Sequence, residues 1–140
     1  MKIRNYVFLS TVLFSTGLFV FSTVRVGYSQ SPPWTAPAYV DTIKNPIAFN
    51  QSEKNEAIKL YNSTCWACHG LDGKGNGPAA VNMKIKPADH TSSKVQAESD
   101  GSLFWKISMG RGDMQPYLKV LSVKQRWALV HYIRSLAQKK

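Results

Sequence analysis

Cys65-Trp66-Ala67-Cys68-His69 is the stretch that decides what this chain folds around. Cys65 and Cys68 are its only cysteines, three positions apart, and His69 follows at once. One helical turn brings both sulfurs to the same side, where each can add to a vinyl group of a haem. His69 then lies under the iron and offers an imidazole nitrogen as proximal ligand. This is the pattern of covalent haem attachment. Two other readings compete: a redox dithiol, which usually accompanies a βαβ pattern, and half of a zinc site. No βαβ pattern is visible, and the other histidines, His90 and His131, stand isolated in the sequence.

Working outward, the N-terminus reads as an export segment. Lys2 and Arg4 form a short basic region, and residues 6–24 then run without a charge. Gly27 and Ser29 are small residues spaced for cleavage after Ser29. The run is also nearly long enough to span a bilayer. Residues 1–29 are therefore expected to be a signal peptide or an N-terminal membrane anchor. Either fate delivers the remainder to the periplasm or to the outer face of the cytoplasmic membrane, where covalent haem is assembled. No cysteine follows the run, so a lipoprotein anchor is excluded.

Beyond residue 29 the chain has 15 lysines and arginines against 8 acidic residues. A basic exported protein suggests an acidic protein partner or an anionic membrane surface. No basic run or nucleic-acid reading motif is present, which argues against nucleic acid.

Residues 30–51 contain Pro32, Pro33, Pro37 and Pro46 and read as an extended linker, with Trp34 or Tyr39 tucked against the domain. Residues 52–140 then form one small domain, marginal unaided, for which a covalent haem is a large apolar body to fold around. Ser52 is placed to cap a first helix that runs into Cys65, with Ala57, Leu60, Tyr61 and Thr64 at helical spacing. A second helix covers Leu103 to Met109 and stops at Gly110. A third starts at Ser122, where Gln125 completes a capping box, and carries Trp127, Val130, Ile133 and Leu136. No long period-two alternation occurs, so the fold is expected to be all-α with long loops. The Gly70 to Pro78 loop lacks Walker spacing, and its glycines are expected to let the backbone pass close to a flat cofactor.

The sixth ligand decides what a haem iron does: an open site binds gases or peroxide, and a thioether closes it and favours one-electron transfer. Met83, Met109, Met114, His90 and His131 qualify by type. Met114 is best placed, in the glycine-flexible Gly110 to Tyr117 segment with Pro116 just after it. Met109 lies in the helix before it, Met83 has nothing to orient it, His90 reads as a solvated loop histidine, and His131 falls among core positions of the last helix.

These pieces together resemble class I cytochrome c in its small exported bacterial form. The matching fragments are Leu60-Tyr61, the Cys65 to Gly70 motif, the Gly73 to Pro78 loop, Leu103 to Ile107, Gly110 to Met114, and Tyr132 to Arg134. They occur in the family's order across most of residues 52–137. The resemblance implies a cytochrome c-like fold of three to four helices around one covalent haem c. It implies Cys65 and Cys68 as thioether links and His69 and Met114 as iron ligands. It further implies that the Pro78 carbonyl accepts a hydrogen bond from the other His69 nitrogen, and that Tyr61 meets Tyr132 where the terminal helices cross. Gln115, standing between Met114 and Pro116, departs from the family's usual pattern.

The expected function is a monohaem electron carrier between exported redox partners, with no catalytic residue and no small-molecule substrate. Partners would be redox proteins with an acidic docking surface, steered by Lys74, Lys84, Lys86 and Lys106. Membrane association through residues 6–24 would fit a second reading, a haem subunit fixed to a larger membrane oxidoreductase. A third is an open-site, peroxidase-like or gas-binding haem protein.

Overall fold

The computed structural model describes residues 33–48 and 50–137. The expected export segment, and Pro32 of the proline-rich stretch, lie outside these residues. Within them the chain forms five helices: α1 Gln51–Thr64, α2 Trp66–His69, α3 Ser93–Gln96, α4 Asp100–Met109 and α5 Val123–Leu136. Single 3-10 turns cover Ala38–Val40 and Pro78–Asn82. No strand occurs among the described residues, only an isolated antiparallel bridge between Arg111 and Met114. The fold is all-α, as the periodicity required.

Each helix start follows from a cap. Asn50, not Ser52, caps α1: its side chain accepts from the Glu53 backbone N–H at 3.0 Å. Asn50 and Glu53 have the spacing of a cap and its third helical residue, a match that Ser52 lacks. Ser99 caps α4 by accepting from the Ser102 N–H, so this helix begins three residues before Leu103. The capping box of Ser122 and Gln125 opens α5 as expected.

The core is built where α1 and α5 cross, the most extensive contact between helices. Ala57 and Tyr61 from α1 meet Leu129, Val130 and Ile133 from α5 in one buried cluster. Tyr61 and Tyr132 pack edge to face at 4.9 Å, a favoured aromatic geometry. From α4, Leu103 and Ile107 join the cluster, and Phe104 stacks on Trp127 at 4.1 Å. Arg126 is buried beside them: it donates to Ser108 Oγ and lies over the Phe104 ring at 4.6 Å. The ring face offsets part of the cost of burying that charge.

Residues 33–48 pack along α4 and α5. Trp34 sits 6.4 Å from Trp105, with the Lys106 ammonium 5.4 Å from its ring centre, whereas Tyr39 is 71% exposed. Asp41 accepts from Ser99 Oγ at 2.6 Å and Ser102 Oγ at 2.8 Å. Asn45 donates to the Trp127 carbonyl at 3.0 Å. Gly101 lets this strap in: a Cβ there would fall 1.8 Å from the Val40 carbonyl oxygen, so no larger residue fits under the crossing.

Candidate haem site

α1 ends at Thr64, and the chain restarts at Trp66 as the single turn α2, which carries the attachment motif. Both cysteines are half-buried thiols, not joined to each other. Burial pushes the Cys65 thiol up to about 11, and the Thr64 hydroxyl 3.3 Å away opposes it. Trp66, between them, is 38% exposed.

The His69 Nδ1 lies 3.0 Å from the Ala88 carbonyl oxygen. A carbonyl only accepts, so Nδ1 carries the proton and Nε2 keeps its lone pair. Burial lowers the His69 pKa, which favours this neutral form. A neutral imidazole with a free Nε2 is the donor a haem iron takes. The resemblance implied Pro78 as the partner of this ring; the structure puts Ala88 there instead. Pro78 opens the 3-10 turn packed against α2 and is itself exposed. Three contacts draw the Pro87–Ala88 segment towards the motif: the His90 N–H donates to the Gly73 carbonyl at 2.7 Å, Lys86 Nζ donates to the Ala80 carbonyl at 3.0 Å, and the Pro87 carbonyl lies against Gly75.

Two of the loop glycines let the backbone close on itself: a Cβ on Gly75 would fall 2.4 Å from the Pro87 carbonyl oxygen. A Cβ on Gly77 would fall 2.4 Å from both the Trp66 and Ala67 carbonyl oxygens, so the loop closes directly on α2. Its N–H donates to the Cys68 carbonyl at 3.1 Å, satisfying an orphan acceptor of that turn.

Met114 ends a two-residue turn, Gly112-Asp113, closed by reciprocal bonds between Arg111 and Met114 of 2.8 and 3.0 Å. Its side chain is half-buried and packs on the same core cluster as Cys65 and Phe104. Tyr117, three residues on, is buried and donates to the Thr64 carbonyl at 2.9 Å. Met109 is 47% exposed at the end of α4. Met83 is half-buried at the end of the 3-10 turn. His131 lies 2.6 Å from the Ile47 carbonyl oxygen through Nε2.

His90 is the residue that sequence reasoning misplaced. It is 8% exposed, not solvated, and stacks on the His69 ring at 4.1 Å with 18° between the planes. Its Nδ1 lies 3.2 Å from the Tyr61 hydroxyl. The two groups share one hydrogen bond, whose direction follows the His90 tautomer. Burial, with His69 beside it, holds the His90 pKa well below the usual histidine value. The one available signal was its position just after Pro87-Ala88-Asp89, a segment that packs back on the motif.

An all-α domain with a Cys-x-x-Cys-His turn seated beside a buried core defines a c-type cytochrome. The comparisons agree: residues 55–137 match the family model Cytochrome c, and the chain belongs to that family. No curated protein matches the chain. Among solved structures it resembles a chain of the Kuenenia stuttgartiensis reducing HAO-like protein complex Kustc0457/Kustc0458, at 29% identity and a TM-score of 0.59. That match covers 69% of this chain and 50% of the other, so this chain spans half its neighbour's length. It also resembles the KustC0563 c-type cytochrome, at 27% identity and a TM-score of 0.51, covering 57% of this chain and 95% of that one. The family brings covalently bound haem c, and the donors described above (two thiols on one turn and an imidazole with a free Nε2) fit it.

Proposed function

We propose that this chain is an exported monohaem electron carrier whose iron is held by His69 and Met114. Haem iron supplies one-electron oxidation and reduction when bound. The protein's part is to tether it through Cys65 and Cys68, present His69 Nε2, offer the Met114 thioether and keep the surroundings apolar. The observation that carries this reading is the Met114 turn: its methionine is half-buried on the core that Cys65 also touches, and Tyr117 ties it to Thr64. No substrate bond is made or broken, and the chain acts as a carrier, not an enzyme.

The partner is a redox protein with an acidic docking surface. Exposed apolar residues Trp66 and Leu71 border the attachment turn, and the basic balance of the chain supplies long-range attraction. Docking of this kind is small and short-lived.

The deciding experiment is the near-infrared absorption of the oxidised holoprotein. The methionine-to-iron charge-transfer band is expected in the wild type and lost in Met114→Ala. A wild type without the band, or rapid carbon monoxide binding by its reduced form, would overturn Met/His ligation in favour of an open-site haem protein.

A second reading has one observation in its favour. The neighbour from the HAO-like assembly is a chain of a complex, so this chain as a fixed haem subunit deserves a direct test. Co-purification with a membrane complex after mild detergent extraction would support it; recovery as a free monomer supports the shuttle.

A further inference from the structure

We propose that His90 is a positioning residue for the axial histidine, its ring serving as a flat stop that sets the rotation of the His69 imidazole plane. An imidazole on a flexible Cβ has two freedoms to lose. The hydrogen bond from Nδ1 to the Ala88 carbonyl fixes the tautomer and the in-plane tilt. It leaves rotation of the plane about the axis through that bond only loosely held. A face contact is what restricts that rotation, and the His90 ring supplies one at 4.1 Å, within 18° of parallel.

A stop must itself be immobile, and His90 is held from several sides. Its Nδ1 is hydrogen-bonded to the Tyr61 hydroxyl, and Tyr61 is fully buried and locked edge to face against Tyr132. The His90 N–H donates to the Gly73 carbonyl, and the His90 carbonyl accepts from Gln96 Nε2 at 2.6 Å. Gln96 also donates to the Ile133 carbonyl of α5 at 3.1 Å. The crossing of α1 and α5 is thereby connected to the ligand ring through Tyr61 and His90. A buried polar side chain here costs stability relative to an aliphatic one unless its bond is made, and the Tyr61 phenol makes it.

The plane matters because imidazole π density lies normal to the ring. Its direction relative to the haem nitrogens sets how unequally two iron d orbitals are raised. That inequality is read directly by the g values of ferric low-spin iron, and more weakly by the midpoint potential.

The inference rests on His69 being an iron ligand. The test uses the full-length holoprotein with His90→Phe, His90→Leu and Tyr61→Phe, reading ferric electron paramagnetic resonance and midpoint potential beside thermal stability. His90→Phe keeps a flat face and is expected to keep the wild-type g values. His90→Leu removes the face and is expected to shift the largest g value and the potential. Tyr61→Phe frees the His90 ring and is expected to shift g in the same direction by less. Equal g values in wild type, His90→Leu and Tyr61→Phe would overturn the proposal, and so would equal shifts in the Phe and Leu variants. If His90→Leu does not assemble, Tyr61→Phe decides by the same criterion. Failure of His69 ligation itself looks different: the wild type would then lack a low-spin ferric signal, or keep that signal in His69→Gly.

Discussion

The Tyr117 hydroxyl donates to the Thr64 carbonyl at 2.9 Å, joining the turn that carries Met114 to the residue before Cys65. The same tyrosine is anchored by its own N–H on the Ile107 carbonyl at 3.1 Å, at the end of α4. The methionine turn is therefore held from two helices. Tyr117→Phe should cost about 1 kcal/mol of stability, the usual worth of one such bond. Its sharper effect is expected on the ligand: heating the oxidised holoprotein should bleach the methionine charge-transfer band at a lower temperature than in the wild type, before global unfolding by circular dichroism. Coincident loss of band and helix in both proteins would refute a specific tether.

Arg134 fastens the end of α5 to the α3–α4 connection. Its Nε meets Asp100 Oδ1 at 2.9 Å, and its other nitrogens donate to the Gln96 carbonyl at 2.9 Å and the Glu98 carbonyl at 2.5 Å. These acceptors diverge, and only a planar fork reaches all of them. Arg134→Ala is expected to lower stability by about 2 kcal/mol, and Arg134→Lys to recover less than half of that. Chemical denaturation of the reduced holoprotein measures both. Full rescue by lysine would show that charge alone, not geometry, is what α5 needs.

Much of this architecture was legible because local signals and burial agree. The capping box at Ser122, the helical spacing from Ala57 to Thr64 and the attachment motif each point to one local structure, and the fold adopts it. What stayed hidden depends on partners distant in sequence. Gly101 is glycine because Val40 crosses over it from the strap, a contact between residues 61 positions apart. His90 looked like a loop residue, because its burial comes from Tyr61, Gly73 and Gln96 and none of these is a neighbour. The partner of His69 differed for the same reason: the packing of the Pro87–Ala88 segment, not the spacing from Pro78, decides which carbonyl meets the ring.

Asp41 makes the strap sensitive to acid. Ser99 and then Ser102 donate to its carboxylate and lower its pKa, with burial opposing them weakly. A carboxyl whose folded value lies below its unfolded one stabilises the fold above the unfolded value, roughly pH 3.9. That contribution is lost as pH falls through the folded value. The strap is therefore expected to loosen in the acid range below about pH 4, and Trp34, tilted against Trp105 at 6.4 Å, should report it by a fluorescence change. Asp41→Asn should show the loosened signal at neutral pH and a flat response to acid over that range. An unchanged acid transition in Asp41→Asn would place the sensor elsewhere.

The lysines expected to steer a partner are not equally free to do so. Lys106 is paired with Glu98 at 2.5 Å, and both side chains are largely buried. Lys74 sits 3.6 Å from Asp72, whereas Lys86 donates to the neutral Ala80 carbonyl and keeps its full charge. A charge already paired contributes little field at a distance. Among the described residues Lys84 is exposed with no polar partner, and so is Lys119, beside exposed Leu118 and Val120. Lys84→Gln and Lys119→Gln are therefore expected to slow electron transfer to an acidic partner several-fold at low salt, with the difference from wild type shrinking as salt screens the attraction. Lys106→Gln should leave that rate nearly unchanged and instead lower thermal stability, since it strands Glu98. Stopped-flow rates across a salt series separate the two classes. A larger rate loss in Lys106→Gln than in Lys84→Gln would mean that the pair opens on docking, and that the paired lysine, not the free one, meets the partner.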